Sequence, residues 1–300
     1  MDRYRIYGNK KDAFDMKSLA QKARGLCELA ELNIRVPHFF IVPNNCFLTY
    51  NKMSSDEKKV YVKNIICSFE EYIAEISEDE ALVNMYSLRC PDKTLNNKIF
   101  PFPETVLNIG YNRKIMQDLN EYYGDEFCKK AEDVFIKHAK RFVEYVGADD
   151  NIPLVQLNAR EQLEYFVYNL YQYFEKIYDN SKDINCAFIL QRMVYGNVGE
   201  RSLTGMCYTR NPYTGEEMDY GRYIINRQGI SLGAVESKDQ LDLSMLKKCD
   251  AEIYDELKAI MRKIEDYYNE IRYLEYTVQN GKVYILQNTV GNRTFILPPK

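Results

Sequence analysis

The sequence predicts an α+β fold in which two β-rich parts are separated by a long helical block. Three observations carry that reading. Residues 114–177 keep a helical spacing of apolar side chains, broken around 147–153, GADDNIP. Residues 186–286 instead carry short apolar and β-branched runs bounded by Gly and Asn, the punctuation of strands. Asn280-Gly281 lies between two such runs and is a strong signal for a tight antiparallel hairpin.

Taken in order, residues 3–7 read as a short strand. The segment 16–32 places Leu19, Ala23, Leu26, Leu29 and Ala30 at helical spacing, with Asp15 as its N-cap. Pro37 precedes a strand at 39–42, and two helices fill 45–76. A strand at 82–89 ends at Cys90-Pro91, because proline has no N–H for a ladder and biases its predecessor away from helix. A polar loop leads into the helical block. Beyond it, 191–195 and 205–209 read as adjacent antiparallel strands, a helix spans 250–268, and the hairpin occupies 271–288. A strict two-residue loop sets Glu275 opposite Leu286, whereas a bulged turn sets it opposite Gln287.

The chain of 300 residues is long enough to bury a stable core in one large domain or two ordinary ones. No apolar run approaches the roughly 20 residues of a membrane span, and the charged start MDRYRIYGNKKDAFD is not a secretory signal. Eight cysteines are scattered with no Cys-x-x-Cys pair, the usage of packed, reduced thiols rather than of a disulfide framework or zinc site. These features predict a cytoplasmic protein with no membrane partner. A net charge of −4 provides no basic footprint, so nucleic acid is excluded as a partner class. The 26 tyrosines and absence of tryptophan are a compositional bias without a mechanism attached.

The order of motifs narrows the reading. Residues 191–233 run QRMVYGNVGERSLTGMCYTRNPYTGEEMDYGRYIINRQGISLG, which joins two strands through a glycine-containing turn to Thr209-Arg210-Asn211-Pro212. Upstream stand LAQKARGLCELAELNIRVPHFFIV and YSLRCPDKTLNNKIFPFPETVLNIGYN; downstream stands the hairpin segment 274–294. In this order the four segments resemble the nucleotide-binding part of the pyruvate phosphate dikinase and phosphoenolpyruvate synthase family, of the ATP-grasp class. The resemblance runs from near Met16 to Thr294. It implies two lobes clamping ATP: residues 1–112 as an N-terminal α/β lobe with phosphate-binding segments, 113–184 as a helical insertion, and 185–300 as a C-terminal β-rich lobe.

The resemblance also implies roles for particular residues. Lys22 stands at a phosphate-contacting lysine, although Gln21 and Ala23 replace the flanking glycines; the alternative is a solvated lysine on an amphipathic helix. Arg89 stands at a phosphate-clamping arginine, able to grip two oxygens at once. After it, Cys90-Pro91 and Phe100-Pro101-Phe102-Pro103-Glu104-Thr105 replace a flexible glycine-containing loop, and their prolines remove N–H donors. Gln191, Met193 and Val194 match the strand against which adenine lies, or else are ordinary core strand residues. Glu275 and Gln287 match the hairpin's metal-binding pair, Glu275 as the ligand of Mg2+. The second carboxylate on that strand is replaced by Tyr273, a phenol neutral at pH 7, and Thr289 replaces an arginine. Arg222 and Ile230 replace two further acidic residues, so the charge of the expected site moves from acidic toward neutral or basic.

Phosphoryl transfer needs phosphate-holding cations and metal-holding carboxylates more than covalent chemistry. Lys22, Arg89, Glu275 and Gln287 support an ATP-binding domain that passes phosphate to a histidine on a separate phosphohistidine-carrier protein. His38 and His138 read as structural, and neither has the Thr-His setting of such a carrier. Tyr273, Thr289, Arg222 and the loop prolines support impaired catalysis, with a non-catalytic regulator or assembly partner as the alternative.

Overall fold

The computed structural model describes residues 3–8, 16, 19–76, 84–90, 94–95, 98–99, 103–178, 185–228 and 239–291. The chain is α+β and divides into two compact units. The first comprises Met1–Arg24 with His38–Met193, and the second Gly25–Pro37 with Val194–Lys300.

In the first unit a five-stranded sheet has the order β1 (Tyr4–Ile6), β2 (Phe39–Val42), β7 (Phe188–Arg192), β3 (Tyr86–Arg89) and β6 (Val106–Ile109). Strands β1 and β2 are parallel and the remaining pairings antiparallel. The run FFIV of β2 is buried at every position, as expected of an inner strand covered on both faces. A two-stranded ladder joins β4 (Thr94–Leu95) to β5 (Lys98–Ile99). Among the described residues, the helices lying wholly in this unit are α2 (Asn44–Tyr50), α3 (Ser55–Ala74), α4 (Arg113–Val146) and α5 (Ala159–Ile177). Reciprocal Ser54/Glu57 and Asn158/Glu161 capping boxes start α3 and α5, each satisfying backbone donors that the first turn leaves open. Gly147, in the left-handed region at φ 66°, ends α4 where the sequence predicts a break. A further break was not legible. Gly124 (φ 76°, ψ 167°) interrupts the helical backbone, so α4 is two arms rather than one rod.

Gln162 fastens α5 to the end of β6. Fully buried, it accepts from the Gly110 N–H at 2.7 Å and donates to the carbonyls of Tyr111 (2.7 Å) and Leu154 (2.8 Å). Backbone groups that turn out of the ladder beside left-handed Asn108 and Gly110 thereby keep hydrogen-bond partners inside the protein.

In the second unit the sheet order is β10 (Leu241–Asp242), β9 (Tyr220–Ile225), β8 (Leu203–Tyr208), β11 (Arg272–Gln279) and β12 (Lys282–Val290), all antiparallel. One face carries Leu274, Tyr276, Cys207 and Tyr223, all fully buried. Helices α6 (Leu243–Cys249) and α7 (Ala251–Tyr268) belong to this side, since the Tyr223 hydroxyl reaches the Cys249 sulfur at 3.8 Å. Arg210 forks onto Glu265 with three contacts of 2.8–2.9 Å. Asp219 accepts from Tyr254 (2.8 Å) and Lys258 (2.9 Å). Both ends of the 210–219 loop are therefore bolted to α7. The segment Gly25–Pro37 covers the outer edge of β12: Ile285 N–H donates to the Arg35 carbonyl at 3.0 Å, and Arg35 itself reaches Glu256 at 2.6 Å.

Several sequence expectations change here. Strands β7 and β8 are not neighbours; β7 pairs with β2 and β3, whereas β8 lies between β9 and β11. Their burial explains why, since β7 is enclosed throughout while β8 alternates, the signature of a sheet with one partly open face. β7 also ends at Arg192, so Met193 and Val194 lie beyond the strand predicted to hold them. Met193 N–H still bonds to the Met85 carbonyl at 2.9 Å, and the chain passes to the second unit at Val194. Helix α1 runs Gln21–Glu31, starting later than the spacing predicts, and Asp15 falls outside the described residues. Helix α6 was not anticipated. Its seven residues are too few to show a periodicity.

Candidate functional site

The predicted site residues lie in both units: Lys22, Arg89, Gln191 and Met193 in the first, and Val194, Glu275 and Gln287 in the second. In the first, Arg89 closes β3 as expected, and its guanidinium donates to Gln191 Oε1 at 2.8 Å. Both side chains are buried, on neighbouring strands where Ser87 is the direct partner of Gln191. The Gln191 amide oxygen thereby fixes the orientation of the guanidinium. Lys22 lies half-buried in the first turn of α1, where the helix dipole also favours anions. Met193 and Val194 are half-buried at the passage between the units.

In the second unit the hairpin decides the geometry. Asn280-Gly281 forms a strict two-residue loop, with Gln279 opposite Lys282 and Tyr276 opposite Ile285. One residue further the register slips, so that Glu275 faces Gln287 rather than Leu286. Of the two registers the sequence leaves open, the Gln287 pairing is present together with the strict loop, because a β-bulge within the ladder produces it and the turn does not. The same register puts Tyr273 opposite Thr289. On its other side β11 pairs Tyr273 with Tyr208 and Glu275 with Met206, and β8 pairs these with Tyr220 and Arg222.

Because side chains alternate along a strand, these residues share the face opposite α6 and α7. Two rows cross it. One runs Arg222, Met206, Glu275, Gln287, and the other Tyr220, Tyr208, Tyr273, Thr289. Arg222 is exposed and the other seven are half-buried. The rings are in mutual contact, with centroids 5.7 Å apart for Tyr208–Tyr220 and 5.2 Å for Tyr208–Tyr273. The sequence singled out Tyr273 and Arg222, but missed Tyr208 and Tyr220. Only cross-strand register brings those two beside the site.

The Tyr273 hydroxyl donates to Glu275 Oε1 at 3.2 Å. Burial, followed by the negative charge of Glu275, raises its pKa, so it stays a neutral donor. Magnesium requires compact, hard oxygen ligands near 2.0–2.1 Å in octahedral geometry. Glu275 has instead a phenol on one carboxylate oxygen, an amide opposite it, and a thioether on its other flank. That set supplies a single carboxylate, engaged on one oxygen by a phenol, and so holds the ion more weakly than a carboxylate pair. Among the described residues no group of three His, Cys, Asp or Glu side chains is placed to hold a metal.

Each of the two histidines has a ring nitrogen within hydrogen-bond distance of a neighbouring oxygen. His38 Nδ1 lies 3.0 Å from the Tyr72 hydroxyl, and His138 Nδ1 lies 2.6 Å from the Thr105 carbonyl. Six of the eight cysteines are buried, and burial pushes the thiols of Cys46 and Cys207 up to about 11 and about 12. No described helix is long and apolar enough to cross a membrane. Pro91, Phe100, Pro101, Phe102 and Ile230 lie outside the described residues.

In comparison with known proteins, the chain is similar in sequence to proteins named pyruvate, phosphate dikinase. The enzyme of that name from Rickettsia conorii is 25% identical over 332 aligned positions, which cover 93% of this chain and 38% of the relative. That from Clostridium symbiosum is 36% identical over 121 residues, covering 40% and 14%, and pyruvate, phosphate dikinase 2 of Oryza sativa is 41% identical over 105 residues, covering 35% and 12%. The chain thus spans well under half the length of these relatives. No protein-family model matches it.

Proposed function

We propose that the chain is an ATP-binding domain of the dikinase type, ATP-grasp in architecture, whose phosphoryl-transfer chemistry is impaired. Homology to the dikinases along 93% of the chain carries this reading. Arg89, oriented by buried Gln191, and Lys22 at a helix start supply cationic groups for phosphates, and Gln191, Met193 and Val194 would meet the base. Glu275 and Gln287 are paired, and Tyr273, where the family resemblance expects a second carboxylate, donates to Glu275. Electrostatic stabilisation is the largest part of phosphoryl-transfer catalysis, so losing part of the cation site weakens turnover more than binding.

Calorimetric titration with ATP, with and without magnesium, tests the proposal. Saturable binding that Arg89→Ala weakens by about tenfold or more is expected, together with little or no phosphate exchange. Absence of ATP binding under both conditions would refute it. A second reading is a regulator or assembly partner without catalysis, favoured by the Tyr273–Glu275 contact. Magnesium-dependent turnover with a separate phosphohistidine carrier would discard that alternative and restore an active phosphotransferase.

A further inference from the structure

The tyrosine at position 273 does more than delete a carboxylate. Residues two apart on a strand lie about 6.8 Å apart, so short acidic side chains at 273 and 275 could converge on one cation. A tyrosine is longer, and its hydroxyl has closed that gap by donating directly to Glu275. The ring is held from behind by Tyr208, itself in contact with Tyr220, so it cannot leave without breaking the aromatic row. Thr289 stands opposite the ring, and Gln287 and Met206 flank the carboxylate. Nothing in this register offers a second hard anionic ligand, and Arg222 ends the row with a positive charge.

We propose that this face takes its ligand without a divalent cation, the Tyr273 hydroxyl holding on Glu275 the place that a metal ion would hold. For the identity of the ligand, a nucleotide, the inference rests on the function proposed above; for the metal it stands alone. Phosphates approaching this face then meet the Thr289 hydroxyl and the Arg222 guanidinium and no chelated ion, so free ATP, not its magnesium complex, is the bound form.

Manganese titration of the full chain without nucleotide, followed by the resonance of the free ion, separates the two ideas. Wild type is expected to show no site that Glu275→Gln removes. Tyr273→Asp is expected to gain a site at least about tenfold tighter, and the added Glu275→Gln change to abolish it. With ATP, magnesium should leave wild-type affinity unchanged and tighten that of Tyr273→Asp. A wild-type manganese site lost on Glu275→Gln, a Tyr273→Asp protein that is folded yet gains no site, or wild-type ATP binding tightened about tenfold by magnesium would each overturn the inference. Should Tyr273→Asp fail to fold, the near-isosteric Glu275→Gln comparison still decides it. If wild type binds no ATP at all, the nucleotide reading fails, and the manganese result still stands or falls by itself.

Discussion

At the scale of single residues, two contacts set measurable consequences. The His138 ring donates Nδ1–H to Thr105, and burial lowers its pKa below the ordinary 6.5. The folded state thus prefers neutral histidine. This contribution is complete above the unfolded pKa and is lost as pH falls through the lower folded value. Thermal midpoints of wild type should therefore drop more steeply below about pH 6.5 than those of His138→Gln, and parallel profiles would disprove the assignment. Gly205 is required for a different reason. A Cβ there would lie 2.4 Å from the ring of fully buried Tyr276. Gly205→Ala should cost about 1–3 kcal/mol in urea unfolding, the range for overpacking a core. The Tyr276 hydroxyl has no hydrogen-bond partner among the described residues, so Tyr276→Phe should be neutral or stabilising in the same assay.

At the scale of elements, Gln162 carries the joint between α5 and the end of β6. Replacing it with Leu keeps the volume but strips partners from the Gly110 N–H and from the carbonyls of Tyr111 and Leu154. Each buried group left unsatisfied costs about 1–3 kcal/mol. Gln162→Leu should lower stability by about 2–4 kcal/mol on that scale, and hydrogen exchange should show the Gly110 amide losing protection; an unchanged exchange rate would exclude the role. The hairpin shows what an element contributes to a site. Its two-residue turn is specified by Asn-Gly, yet the slip between Glu275 and Tyr276 is what brings Gln287 opposite the carboxylate. Periodicity of two cannot announce such a slip, because the bulge is a property of the pair of strands.

At the scale of the whole molecule, each compact unit is assembled from separate stretches of chain. The second recruits Gly25–Pro37, tied by Arg35 to Glu256 and Val283 and by Tyr268 to Glu28. Arg35→Ala removes an ion pair, a backbone contact and a stacking contact on Tyr284. It should cost about 1–2 kcal/mol, the sum expected of partly exposed polar contacts, and raise exchange at the Ile285 amide; stability equal to wild type would argue against this strap. What the sequence by itself determined was local. The α+β class, the helical block, the ends of β3 and α4 and the Asn-Gly turn follow from side-chain period and from proline and glycine. Tertiary structure alone decided that β7 and β8 belong to different sheets, that α4 breaks at Gly124, that Arg89 is oriented by Gln191, and that Tyr208 and Tyr220 stand in line with Tyr273. Those facts depend on which strands exchange hydrogen bonds and in what register, and such pairings join residues far apart in the chain whose encounter no local pattern encodes.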